Sequence, residues 1–156
     1  MNPTRNDLSL EIRQGVCQIL NQRLAEMIDL QLQAKQAHWN IRGSNFLSLH
    51  EMFDDLAEAL ADPIDSIAER ITALGGIAEG TLAHVSGRTS LPAYPDGLRK
   101  SAEVLAAIAD ALARCARTMR ASIDHADQLG DAGTVDLFTG ISRELDKRLW
   151  FVEAHI

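Results

Sequence analysis

The sequence predicts an all-α fold, a four-helix bundle closed by one long crossover, on three observations. Apolar residues recur every three or four positions along four long stretches, the period of a helix that buries one face. Clusters rich in Gly, Pro, Asn, Asp and Ser at 41–45, 86–97 and 125–133 separate those stretches, and such clusters are turn and loop chemistry. No segment alternates apolar and polar residues as a half-buried strand must, and no internal repeat or low-complexity run occurs.

Ile12, Val16, Ile19, Leu20, Leu24, Met27 and Ile28 define a first helix over about residues 8–40, with Asn6 or Asp7 as its cap and residues 1–7 as a short N-terminal tail. IRGSN at 41–45 interrupts the pattern with a glycine and two capping residues, the composition of a tight turn between antiparallel helices. Leu49, Phe53, Leu56, Leu60, Ile64, Ile67, Ile71 and Leu74 then mark a second helix that stops at Gly75-Gly76. Pro63 lies inside it, removes one backbone hydrogen bond, and predicts a kink near Ala59. Residues 77–87 read as a short extra helix in the crossover, and SGRTSLPAYPDG at 86–97 reads as loop. With Asp96 as its cap, a third long helix follows through Leu98, Ala102, Leu105, Ala109, Leu112, Ala116, Met119 and Ile123. HADQLGDAG at 125–133 is expected to break it, and Val135, Phe138, Ile141, Leu145, Leu149 and Val152 mark the fourth.

A chain of 156 residues is the usual size of one domain, so residues 1–156 are expected to form a single unit. The opening MNPTRNDLSL has no apolar run behind a basic head, and no window approaches the roughly 18 apolar residues that span a bilayer. A cytoplasmic home and no membrane partner are the expectations. Cys17 and Cys115 both fall within helical patterns and read as small core residues rather than a disulfide or a zinc knuckle. A net charge of -7 opposes the phosphate backbone of nucleic acid and suits cations.

The polar flank of the second helix carries the chemistry. At about 100° per residue, with Leu49 at zero, His50, Asp54, Asp65 and Glu69 fall near 100°, 140°, 160° and 200°. Ala57, Ala61 and Ala68 share that band and leave room for another helix to approach. Pairing across the 41–45 turn brings His38 opposite His50, with Asp54 one turn along. Two imidazoles and a carboxylate are the ligand type of non-haem ferrous sites.

Half a site results, because Asp65 lies eleven residues beyond Asp54, roughly 16 Å along the axis. Metal-ligand bonds near 2 Å cannot bridge that gap. If two copies pair antiparallel about a two-fold axis, Asp65 and Glu69 of one face His38, His50 and Asp54 of the other. Sites shared between subunits are therefore expected. A carboxylate on a helix flank is ordinarily just solvated, and only the joint placement of the five argues otherwise.

AKQAHWNIRGSNFLSLHEMFDDLAEALADPIDSIAERITALGG resembles the signature of the Dps family, the mini-ferritins named as DNA-binding proteins from starved cells. DAGTVDLFTGISRELDKRLWFVEAHI is similar to the family's last helix and SLPAYP to its loop, so the likeness spans nearly the whole chain. It implies a ferritin-like bundle assembled as a hollow homododecamer that oxidises ferrous iron, preferably with hydrogen peroxide, and stores ferric mineral. It also implies His38, His50 and Asp54 as ligands from one subunit and Asp65 and Glu69 from its neighbour, with at most two iron ions per site. Trp39 matches a family tryptophan that could quench radicals, though a packing role is the plain alternative. Asp131 and Asp136, with Asp127, match an acidic pore at the three-fold axis, while aspartates at a helix start also complement its dipole. Ordinary ferritins use Glu-x-x-His pairs, and no Glu here has a His three residues later.

Two features depart from the family pattern. MNPTRND offers one Arg and no lysine-rich extension, which weakens DNA binding, and Pro63 could shift the half-sites against each other. A nucleoid-associated DNA-binding protein and a metal-free structural shell are the rival functions.

Overall fold

The computed structural model describes residues 1–156 and consists of helices, joined by short turns except in the crossover between α3 and α5. They are α1 (Leu10–Asn40), α2 (Phe46–Ala59), α3 (Ala61–Ala73), α4 (Leu82–Arg88), α5 (Ser101–Leu129) and α6 (Ala132–Glu153). Helix α1, the α2–α3 rod, α5 and α6 form the four-helix bundle, and α4 is the short extra helix of the crossover. No helix is long and apolar enough to cross a membrane.

The α2–α3 rod is broken by a single residue, Leu60, one position beyond the expected kink. Pro63 is the third residue of α3, where its missing N–H leaves the Ala59 carbonyl without a donor. Leu60 keeps right-handed helical angles (φ -81°, ψ -15°), so the bend is shallow. The apolar stripe crosses it intact, with Phe53, Leu56, Leu60, Ile67, Ile71 and Leu74 all buried. Each such side chain contributes about 1.5–3 kcal/mol by leaving water.

Besides α4, which begins at Leu82 rather than at residue 77, three boundaries differ from the sequence expectation. Ser9, not Asn6 or Asp7, caps α1, its hydroxyl accepting from Ile12 N at 3.3 Å. Asn6 instead accepts from Leu8 N at 3.0 Å and turns the tail. Asp96 caps nothing, because α5 starts only at Ser101. The chain before it is held extended against the first turn, where Arg42 N donates to Arg99 O at 2.8 Å. Gly43, at φ +140°, lets the backbone approach Ser101, whose Oγ lies 3.0 Å from where a Cβ would sit. Finally, α5 runs on through residues 125–129, and only Gly130 in the left-handed conformation (φ +81°) and Asp131 separate it from α6.

A polar network ties the crossover to the bundle. Glu26 is fully buried in α1. It accepts from Arg23 Nη2 at 3.0 Å, Ser90 Oγ at 2.7 Å and Thr118 Oγ1 at 2.6 Å. Asp29 takes the Thr89 hydroxyl at 2.6 Å. Both cysteines are free and buried, and burial pushes the Cys115 thiol up to about 12, as suits core residues.

Candidate metal centre

His38 sits in the last turn of α1 and His50 in the first turns of α2, and the short turn brings them face to face. Their rings stack with centroids 3.7 Å apart and 21° between planes. Each ring bonds the other residue's backbone, His38 Nδ1 to His50 O at 2.8 Å and His50 Nδ1 to His38 O at 2.9 Å. A carbonyl only accepts, so both Nδ1 atoms carry the proton. With Nδ1–H donated to backbone, Nε2 is the ring atom left to face a metal. Reciprocal backbone bonds fix ring orientation and tautomer as the second shell of a metal site does. Phe46 packs on the other side of His50, at 5.1 Å between centroids.

Asp54 lies one turn beyond His50, with Oδ1 4.0 Å from His38 Nδ1. Its carboxylate is ion-paired with Lys35. The Lys35 hydrogen bond, opposed by desolvation and helped by the two imidazoles, holds Asp54 below the usual carboxylate range. The group is therefore charged when a cation arrives, but that cation must displace an ammonium. Sequence reading missed Lys35, although its place three residues before His38 on the same helix was a signal. Lys35→Met is expected to tighten ferrous iron binding about two- to fivefold, the small factor set by a solvent-screened pair. Anaerobic equilibrium titration of the variant checks this, and weaker binding would mean that Lys35 orients Asp54 rather than competing for it.

Asp65 and Glu69 lie on α3 with exposed side chains. Glu69 engages only its backbone carbonyl, which accepts from Thr72 Oγ1 at 2.9 Å. No group of three or more His, Cys, Asp or Glu side chains able to hold a metal gathers within one protomer. The structure stacks His38 on His50 and sets Asp54 beside His38, without closing the three into a complete site, and Asp65 and Glu69 do not join them within the protomer. The α1–α2 hairpin also exposes Leu32, Trp39, Phe46 and Leu47, apolar surface of the kind that marks an interface. Trp39 is 65% exposed, so most of its ring faces outward from the protomer.

Of the three pore candidates, Asp127 and Asp136 are exposed, whereas Asp131 is buried. Asp131 caps α6, accepting from Thr134 N at 3.2 Å and Thr134 Oγ1 at 2.6 Å, and it pairs with Arg70 Nη2 at 2.6 Å. Burial would raise it, but the Arg70 and Thr134 hydrogen bonds outweigh that and hold it below the usual range. Asp131 thus acts as the cap of α6 and as the partner of Arg70.

The ferritin-like domain family matches residues 17–156. The DNA protection during starvation protein of Agrobacterium fabrum is 45% identical over 153 residues, spanning 98% of this chain and 94% of its own length. Mycobacterium smegmatis Dps, solved in a tetragonal form, superposes with a TM-score of 0.94 at 32% identity, spanning 99% of this chain and 93% of that one. Dps from Microbacterium arborescens, solved in the high iron form, superposes with a TM-score of 0.87 at 33% identity, spanning 94% and 95%.

Proposed function

Because the chain belongs to the Dps family of ferritin-like proteins, we propose that it is a cytoplasmic iron-storing mini-ferritin. It oxidises ferrous iron at sites shared between subunits of a dodecameric shell and stores the ferric product as mineral, shielding DNA and the cell from oxidative damage. The observation that carries this reading is the His38–His50 pair, locked by reciprocal Nδ1 bonds with Asp54 beside it. The rest of the ligand set, Asp65 and Glu69, stands exposed on α3. The high iron form described for the M. arborescens relative supports iron as the substrate.

In this reading the imidazole Nε2 atoms of His38 and His50 hold ferrous iron, and the hard carboxylates of Asp54, Asp65 and Glu69 favour the ferric product. Each site takes at most two iron ions. One peroxide accepts one electron from each of two ferrous ions and, with two protons, leaves as two waters. Oxidation by pairs avoids releasing a hydroxyl radical, and Trp39 beside the site can quench one that escapes. Asp127 and Asp136 are the acidic positions proposed to draw iron inward.

The test is stopped-flow mixing of the assembled protein with anaerobic ferrous iron and then peroxide. A ferric absorbance rise far faster than in protein-free buffer, consuming two irons per peroxide, is expected. A rate no faster than buffer would sink the proposal.

A further inference from the structure

A cleft that the iron chemistry does not use opens between α1 and α5, with Ile19 and Ala121 forming part of its wall. It holds about 360 Å³ and is lined by Gln18, Gln22, Arg23, Thr118, Ser122 and His125. No carboxylate lines it, although acidic residues outnumber basic ones 22 to 15 in the chain.

Arg23 is the unexplained group. Its side chain is nine-tenths buried, yet of its guanidinium only Nη2 has a partner, Glu26 Oε1 at 3.0 Å. Its Nε is buried without any hydrogen-bond partner. A guanidinium carries five N–H donors, and Glu26 has little left to offer them. Its Oε1 also accepts from Ser90, and its Oε2 accepts from Thr118. Arg114 adds a second positive charge near Arg23, against the one buried carboxylate.

The other lining groups narrow the ligand. Ser122 Oγ spends its proton on Thr118 O at 3.0 Å, and Thr118 Oγ1 spends its own on Glu26. Both hydroxyls therefore offer further partners lone pairs rather than protons. Arg23 with the Gln18 amide and the His125 imidazole supplies donors. Donors and acceptors side by side match an oxyanion that still carries a proton. Sulfate has none at neutral pH, so its oxygens would oppose those lone pairs.

We propose that this cleft binds hydrogen phosphate, anchored by Arg23. The test is calorimetric titration of the assembled, iron-free protein with inorganic phosphate and, separately, with sulfate at equal ionic strength. Working without iron keeps the result independent of the oxidation sites. Arg23→Lys preserves the charge opposite Glu26 but removes the fork, and His125→Ala alters an exposed residue only. Saturable binding of one phosphate per protomer is expected, about tenfold or more weaker in Arg23→Lys and for sulfate, and several-fold weaker in His125→Ala. Absence of saturable binding at millimolar phosphate, as when water alone fills the cleft, overturns the proposal. So does sulfate binding as tight as phosphate, or phosphate binding unchanged by the substitutions. If Arg23→Lys fails to assemble, His125→Ala decides alone.

Discussion

His50→Ala combined with Asp54→Ala is expected to slow peroxide-driven iron oxidation by about 100-fold or more. Altering only the partners of metal ligands costs about 10–100-fold, and these substitutions remove ligands themselves. His38 keeps its Nδ1 bond to the backbone carbonyl of residue 50 and loses only the stacked ring, so the effect reads the two ligands removed. Both side chains are only partly buried, so the core under Leu49 and Phe53 stays filled and the shell should assemble. Stopped-flow oxidation beside native mass spectrometry separates the two effects. An intact shell with an unchanged rate would remove these residues from the site.

The largest stability effect should come from Glu26→Ala. Glu26 is fully buried and Arg23 nearly so. The substitution strands the Arg23 charge and leaves the Ser90 hydroxyl without its acceptor, while Thr118 Oγ1 retains Cys115 O at 3.0 Å. Breaking a buried pair in this way costs about 3–5 kcal/mol. Ser90 lies in the crossover, so loosening should appear there first, as faster amide exchange around residues 89–91. Replacing both partners with apolar residues, Arg23→Met with Glu26→Leu, should recover much of the loss, since no charge is then stranded. Urea unfolding must be compared at one protein concentration, because assembly and stability are linked. A Glu26→Ala shift below about 1 kcal/mol would mean that water reaches the pair.

How far the sequence reveals this molecule depends on whether a feature is local. The His38–His50 pairing follows from turn length, since a short connection fixes which residues of two antiparallel helices oppose each other. The separation of Asp54 from Asp65 follows from helix rise alone, and a one-residue break at Leu60 does not close it. Features set by tertiary contact were not legible. The start of α5 is delayed because residues 99–100 pair with Arg42, and that contact overrides a pattern that would begin a helix at Leu98. Glu26 occupies a core position, but apolar periodicity counts only hydrophobic residues, so a buried carboxylate reads as a gap. The Lys35–Asp54 pair was within reach of the same register that pairs His38 with His50, and was overlooked rather than hidden. Asp131 reads as a helix cap in the sequence, and its bonds to Thr134 show that role, while its Arg70 partner on another helix could not be read from the sequence.

That the site is completed by a second copy is the central claim, and subunit mixing tests it most directly. One variant carries His50→Ala and Asp54→Ala, the other Asp65→Ala and Glu69→Ala, and each alone should form an inactive shell. When equal amounts are dissociated and reassembled together, about half of the two-fold interfaces join unlike chains. In each of these, one of the two sites draws intact histidines from one chain and intact carboxylates from the other. The mixed shells should regain about a quarter of the wild-type oxidation rate. Mixed shells, verified by native mass spectrometry, that stay at the rate of the separate variants would contradict a shared site.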